Sequence, residues 1–563
     1  RKRWLTFIIV TVPALFCFLL LIFVKFIVVP RVVTELVKLR QYNDGSLSLI
    51  TRHWANYPAD MLYKLYVWNI TNPDEVIYEG ALPRLQERGP YTWIGHERKD
   101  NISFSEDGKE VRYRNLRYWH YSREHSCESC MDTDRVINPN SVYGGLSFIA
   151  DGKNVQPLAL AAVDAITLLT GSAPFRSVSA GELLLYSYND PVVTLKNSEL
   201  VKAIIKLLGG SIFGINLPEQ PKAAGILPHY NNSYEPEFVV RTGQDNISEV
   251  SKMVSYGGQE STDWDIGQSI QDCNEGALNK PFLEPEDNLR IFVSYVGRAF
   301  ELGFQEKSSI ETIPTYVYRI NREEYDTNSD KHRTMRYENE ERVDYFPTWP
   351  ACQSDRVYTP NEARCANVDC SRETNMCDGC CNGSHFNGTI LTPPGFYAMR
   401  VFPGRLWKVP APVFVSPPHM LWAPKEVSSI YVGQSPDEIK HKPIEWTVNP
   451  TLGAAVHADA SIQLNLPLWK GSLTQSSSLH NALAPIAWMN LEVRMHDDIK
   501  FLVKLGGLYI PCLINFGIFF MLLVVFISLL VITLDKLTRI FWKDKPATQH
   551  SIRIPLHHIG HNI

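Results

Sequence analysis

The chain has 563 residues, 45% of them hydrophobic and 20% charged, with a formal net charge of -5. That balance offers no basic excess for nucleic acid and no acidic run that would keep the chain unfolded, and excludes little else. The average hides a local bias: two runs concentrate the apolar residues, and the long stretch between them is polar.

In chain order, residues 1–4 read as the end of a cytosolic tail whose start is missing, since the first residue is Arg1 rather than Met. Leu5 to Val24 then carries no charge. Twenty residues at a rise of ~1.5 Å each cover ~30 Å, the thickness of a hydrocarbon core. Arg1, Lys2 and Arg3 in front suit a cytosolic flank, Lys25 behind can snorkel, and Pro13 sits where it can kink the helix. We take 5–29 as a transmembrane helix. The competing reading, a cleaved signal peptide, needs a shorter apolar run and a small-residue cleavage site, and neither is present.

Residues 30–507 form the polar middle, without internal repeat or low-complexity linker, and read as one large domain. Helical patterning continues from the first span over Val32 to Tyr57, and recurs over Leu158 to Leu169, Glu182 to Tyr188, Ser198 to Leu208 and Asp497 to Leu505. Strand patterning dominates elsewhere: Tyr63 to Ile70, Thr315 to Ile320, Gly395 to Phe402, and Ser461 to Leu468, whose alternation puts Ile462, Leu464, Leu466 and Leu468 on one face. A second uncharged run, Leu508 to Leu534, is 27 residues long. A charge at its centre would cost ~2.5–3.5 kcal/mol on insertion scales, so its absence marks 508–534 as a second span. The basic flank of Lys536, Arg539, Lys543 and Lys545 makes 535–563 a cytosolic tail.

Which side the middle domain faces is read from sequons and cysteines. Six N-x-S/T sequons lie between the spans, at Asn69, Asn101, Asn231, Asn246, Asn382 and Asn387. Of eleven cysteines, Cys17 and Cys512 are in the spans and nine are in the middle domain. Six of those nine crowd into thirty residues: Cys352, Cys365, Cys370, Cys377, Cys380 and Cys381. That density reads as disulfide cross-linking outside the cytosol, with connectivity open and one thiol left over. The rival is zinc, with Cys127-x-x-Cys130 and Cys377-x-x-Cys380 as two halves of a site, but they stand 250 residues apart.

No catalytic constellation stands out. The nucleophile elbow, H-E-x-x-H, the P-loop and G-x-G-x-x-G are absent, and His96-Glu97 stands alone. Acidic pairs such as Glu323-Glu324 and Asp497-Asp498 read as solvated faces, and His557, His558 and His561 as a polar tail. We expect no enzyme, no metal and no cofactor.

Several segments resemble the class B scavenger receptors. Tyr66-Val-Trp-Asn-Ile-Thr-Asn-Pro-Asp-Glu-Val76 is similar to an early family strand ending in N-P-x-E-V, and Arg88-Gly-Pro-Tyr-Thr-Trp93 to the R-G-P-Y turn. Glu182-Leu-Leu-Leu-Tyr-Ser-Tyr-Asn-Asp-Pro191, Thr242-Gly-Gln-Asp-Asn-Ile-Ser248 and Pro412-Val-Phe-Val-Ser-Pro-Pro-His419 resemble three further family segments. The resemblance implies an α+β fold: a large antiparallel β-barrel-like ectodomain with an apical helical bundle, flanked by two transmembrane helices and threaded by a lipid-carrying tunnel. By position, Leu158 to Ser179 would belong to the apical bundle, with Leu168, Leu169, Phe175 and Arg176 as contact residues. Ile462, Leu464 and Leu466 would line the tunnel, or else pack as core.

A continuous apolar lining has a physical rationale, because an acyl chain in water costs ~0.8 kcal/mol per exposed CH₂. The resemblance also pairs Cys273 with Cys352, a bridge closing roughly 80 residues and contributing about 4–5 kcal/mol in the chain-entropy model. Three departures stand out. Gly297 replaces a second family cysteine, Cys127 and Cys130 are extra, and Arg176 is the lone cation between Leu158 and Ser179, which argues against polyanionic lipoprotein ligands. The expected protein is a plasma-membrane receptor for lipids or lipid-bearing particles that passes lipid to the membrane. The alternatives are a lysosomal enzyme-sorting receptor, disfavoured because 536–563 holds no Tyr and no acidic dileucine, and a two-span ligand-gated channel.

Overall fold

A computed structural model describes residues 2–151, 155–199, 221–262, 268–326, 332, 385–386, 389–390 and 392–543. Cys352, Cys365, Cys370, Cys377, Cys380, Cys381, Asn382, Asn387, His557, His558 and His561 lie outside these residues, as does most of the helix expected over Ser198 to Leu208. The chain divides into two compact units, one of residues 1–32 with 508–563 and one of residues 33–507.

In the smaller unit α1 (Lys2–Phe23) runs unbroken through Pro13 and packs along α7 (Ile510–Lys543). The two approach closely at Gly517, where a Cβ would lie 3.0 Å from the Leu21 side chain. Leu15, Phe16, Leu19, Phe519, Phe526 and Leu530 face outward, as a lipid-exposed pair requires. Both helices are long and apolar enough to cross a membrane.

The larger unit is built on one antiparallel sheet. Its chain-order strands include β1 (Ala59–Ile70), β2 (Leu85–Phe104), β3 (Glu110–Tyr121), and, after a small separate pair, β4 (Arg135–Pro139) with β5 (Phe175–Ser179). The sheet continues with β6 (Phe238–Arg241), β7 (Met253–Tyr256), β8 (Leu289–Val293), β9 (Arg298–Ile310) and β10 (Ile313–Ile320). It is completed by β11 (Tyr397–Val401), β12 (Lys408–Ser416), β13 (Ile444–Val448), β14 (Ala455–Leu468) and β15 (Ala482–Met495). The order is β8-β9-β10-β13-β14-β15-β1-β2-β3-β6-β7, with β12 joining β14 from the side.

Its two end strands meet. Asn274 bridges Ile291 of β8 on one side and Lys252, beside β7, on the other. The Asn274 N–H donates to Arg290 at 2.7 Å, and the Asn274 carbonyl accepts from Phe292 at 2.9 Å. The wall therefore closes into a barrel, the β-barrel-like α+β fold that the resemblance implied. Trp68, Trp93, Tyr91, Tyr113 and Tyr318 are fully buried within it. At the R-G-P-Y turn, Gly89 is irreplaceable for steric reasons: a Cβ there would lie 2.6 Å from the Leu65 carbonyl, where β1 and β2 shift register.

Three expectations need correction. The helix over Val32 to Tyr57 breaks: α2 (Val29–Val37) stops short, Gly45 turns the chain with φ +81°, and Ser48 caps a fresh helix, α3 (Leu49–Ala55). Asp44 secures the turn by accepting from the Ser46 N–H and hydroxyl. The segment Leu158 to Ser179 is helical only as α5 (Pro157–Thr170); Gly171 ends the helix in a left-handed conformation, and Phe175–Ser179 becomes a strand on β4. Glu324 is not on a solvated face but buried, accepting from the Glu301 N–H at 3.1 Å and lying 3.3 Å from His332.

Candidate functional site

The longest inward-facing stripe of the barrel belongs to β14. Its alternate residues Ala458, Ala460, Ile462, Leu464 and Leu466 face a chain of three voids. The opposite face is polar yet buried: Gln463 accepts from the Trp68 indole at 3.2 Å and the His419 N–H at 2.9 Å, and Asn465 donates to Ser416 at 2.9 Å. A period of two thus sorts one strand into an apolar lining and a hydrogen-bonded outer layer. Where Leu464 pairs with Ala487 and Asn465 with Pro485, Ile486 is skipped, and it joins the lining.

The first void, about 300 Å³, lies under three helices: α4 (Ser141–Ala150), α5 and α6 (Pro191–Asn197). Asn140 caps α4 by accepting from Val142 and Tyr143, and Asp190 caps α6 by accepting from Val192. Asp164 ties α5 to the segment after β14 by accepting from the Thr474 N–H at 2.9 Å and hydroxyl at 2.7 Å. Ala162, Val163 and Ile166 of α5 complete an almost wholly apolar surface. Gly144 lets α4 settle on β14, since a Cβ there would meet Leu466 at 3.0 Å.

The second void, about 160 Å³, is two-faced. Met61, Ile462, Met489 and Leu491 form an apolar wall, and Glu97, Lys99, Asn115, Arg117 and Glu275 a polar one. Between the two lies a neck of about 20 Å³. Ile226, Pro403 and Leu464 belong to both the first void and the neck, and Tyr295, Ile462 and Met489 to both the second void and the neck. The three voids therefore lie in succession along a single strand, each sharing lining residues with the next.

The polar wall is a buried ionic network. Arg117 meets Glu97 at 2.5 Å and Glu235 at 2.8 Å, with its guanidinium over the Tyr295 ring. Glu235 also accepts from Asn115 at 3.1 Å and Ser294 at 2.9 Å. Lys99 lies 3.4 Å from Glu275, which accepts in turn from Tyr113 and Trp54. Burial raises Glu235 above the usual carboxylate range. Burial works the same way on Glu97, but Arg117 and Lys99 outweigh it and hold that carboxyl below its usual value. Burial and then the Glu275 charge push the Tyr113 phenol well up.

The residues singled out from sequence are scattered. Ile462, Leu464 and Leu466 border the voids and also pack in the hydrophobic core, Leu464 and Leu466 buried there; Leu468 is packed in the core. Leu168 and Leu169 point away from it, exposed on α5. Phe175 is buried on β5. Arg176 is bound to the buried Asp190 at 2.6 Å and stacks over Tyr188, so its charge is already matched. Cys127 and Cys130 are joined to each other, which removes them as half of a zinc site. Cys273 is buried in the seam segment beside Asn274, its thiol raised to about 11 mainly by burial; Cys352, the partner implied for it, lies outside the described residues. Sequence reasoning missed the ionic wall. The available signal was Glu97 and Lys99 continuing the inward parity of Trp93 and Gly95, and Arg117 continuing that of Tyr113 and Asn115.

Comparison with known proteins bears out the resemblance. A protein of Caenorhabditis elegans described as uncharacterized is 30% identical over 506 residues, covering 88% of this chain and 89% of its own length. Scavenger receptor class B member 1 of Mus musculus is 24% identical over 493 residues, 87% of this chain and 81% of that protein. Lysosome membrane protein 2 of Rattus norvegicus is 25% identical over 270 residues, 47% of this chain and 51% of that protein. The CD36 family model matches residues 11–535, and with the closed antiparallel barrel and two candidate membrane helices in place, the chain belongs to the CD36 family.

Proposed function

We propose that this protein is a cell-surface receptor that captures lipids or lipid-bearing particles and conducts lipid through its barrel toward the membrane. The observation that carries this reading is the shared lining: each end of the neck is walled by residues of the adjoining void, so one apolar surface runs from beneath the helices to the ionic wall. Such a surface spares a moving acyl chain ~0.8 kcal/mol for every CH₂ it keeps from water. The mechanism is binding and guided diffusion, without bond chemistry. Capture falls to the exposed Leu158, Leu168 and Leu169 of α5, whose opposite side walls the first void. Residues 30–507 face outside the cytosol in this reading, residues 5–29 and 508–534 span the bilayer, and 1–4 and 535–563 are cytosolic. Likeness to Lysosome membrane protein 2 supports a second location, the lysosomal membrane.

The test is Leu464→Trp, which fills the neck. Uptake of labelled lipid into cells should fall at least tenfold while particle binding is retained. Undiminished uptake with a filled neck would remove the passage from the mechanism.

A further inference from the structure

Resting on that reading, we infer that the second void is a charge filter: it seats the hydroxyl head of a neutral lipid and turns away a carboxylate. Among the described residues lining it, Lys99 and Arg117 are the cations, Glu97 and Glu275 the carboxylates and His457 the imidazole, with Glu235 behind Arg117. Every one of these charges already has a partner. Arg117 holds Glu97 and Glu235, and Lys99 holds Glu275 while lying over the Trp54 and Tyr113 rings. With Glu235 protonated, as its burial favours, two cations balance two carboxylates; with it ionised, carboxylates exceed cations by one. With the His457 imidazole neutral, in neither state is a cation left to neutralise an incoming acid.

A carboxylate head can only accept hydrogen bonds, and it would bring an uncompensated negative charge into a site shielded from water. A hydroxyl can donate to Glu97 or Glu275 and accept from Lys99 or Arg117 without altering the balance. The same void is also lined by Met61, Ile462, Met489 and Leu491, which suit the adjoining hydrocarbon, and Ile462 and Met489 line the neck as well. The filter acts on the head group and leaves the first void indifferent to it.

The test uses the full chain in lipid nanodiscs and two photoactivatable ligands of equal length, a fatty alcohol and a fatty acid, each with its diazirine near the head. At a pH where the acid is ionised, the alcohol should label peptides holding Met61 and Met489 at least tenfold more than the acid. Glu275→Gln, which removes one negative charge from the lining and frees Lys99 of its nearest carboxylate, should narrow that ratio; the wild-type comparison stands whether or not this variant folds. Equal labelling of the second void by both ligands overturns the filter and leaves the passage intact. Labelling of neither void by either ligand overturns the passage as well.

Discussion

The imidazoles of His419 and His441 lie stacked, ring centroids 3.9 Å apart and 11° from parallel, beneath the edge of Trp488. Each uses Nδ1 as an acceptor: His419 takes the Ser435 N–H at 3.0 Å and His441 the Asp437 N–H at 3.0 Å. Glu87 lies 3.4 Å from His419 Nε2, and Asp437 and Lys440 also act on His441. Burial, then the neighbouring His419, lowers His441 from 6.5 to about 4. A base depressed in the folded state contributes stability above its unfolded pKa and loses it as pH falls. Thermal stability should therefore decline from pH 6.5 through about 4, and His441→Phe, which keeps the stack, should flatten that decline. Calorimetry across this range decides it; an unchanged slope in the variant rules the pair out as the cause.

Arg117 and Glu235 predict a different asymmetry. Replacing Arg117 by Leu strands the ionised Glu97, and removes the counter-charge of Glu235, and should destabilise the chain by ~3–5 kcal/mol. Glu235→Gln keeps the shape and the Asn115 and Ser294 neighbours, and should cost only about 1–2 kcal/mol. Denaturant unfolding of the two variants gives the comparison, and similar losses would contradict a charge-driven effect.

Gly144 sets the seat of α4 on β14. Val at this position overpacks against Leu466 and should cost ~1–3 kcal/mol. It should also slow lipid uptake, since α4 roofs the first void. Limited proteolysis and an uptake assay read the two effects separately.

Glycan occupancy should follow exposure. Asn101 and Asn246 are exposed, whereas Asn69 is half-buried, donating to Gln86 at 3.3 Å and accepting from the Ile137 N–H at 2.8 Å. Enzymatic deglycosylation with mass spectrometry should find sugar at Asn101 and Asn246 and little at Asn69. Unmodified asparagine at all of them would overturn the outward orientation of the larger unit.

What could be read from the chain beforehand was whatever repeats locally. The uncharged runs, the helix beginning at Pro157 and the alternation around Ile462 follow from neighbours in sequence. The closure at Asn274 does not, because it joins residues that no local pattern connects. The ionic wall escaped notice for a related reason: Glu97, Lys99 and Arg117 look like ordinary surface charges until the strands that carry them curl inward. Phe175–Ser179, which the resemblance placed with the apical bundle, is a strand because Gly171 and Pro174 interrupt the chain after the helix, and pairing with Arg135–Pro139 decides the rest.

The joining of β7 and β8 through Asn274 has a bearing on how the sheet meets other chains. A sheet that stopped at either short strand would offer bare backbone groups to any neighbour able to add a strand. The intervening segment occupies part of both rims, Met253 donating to Cys273 and Phe292 to Asn274, and so withdraws those backbone groups from any added strand.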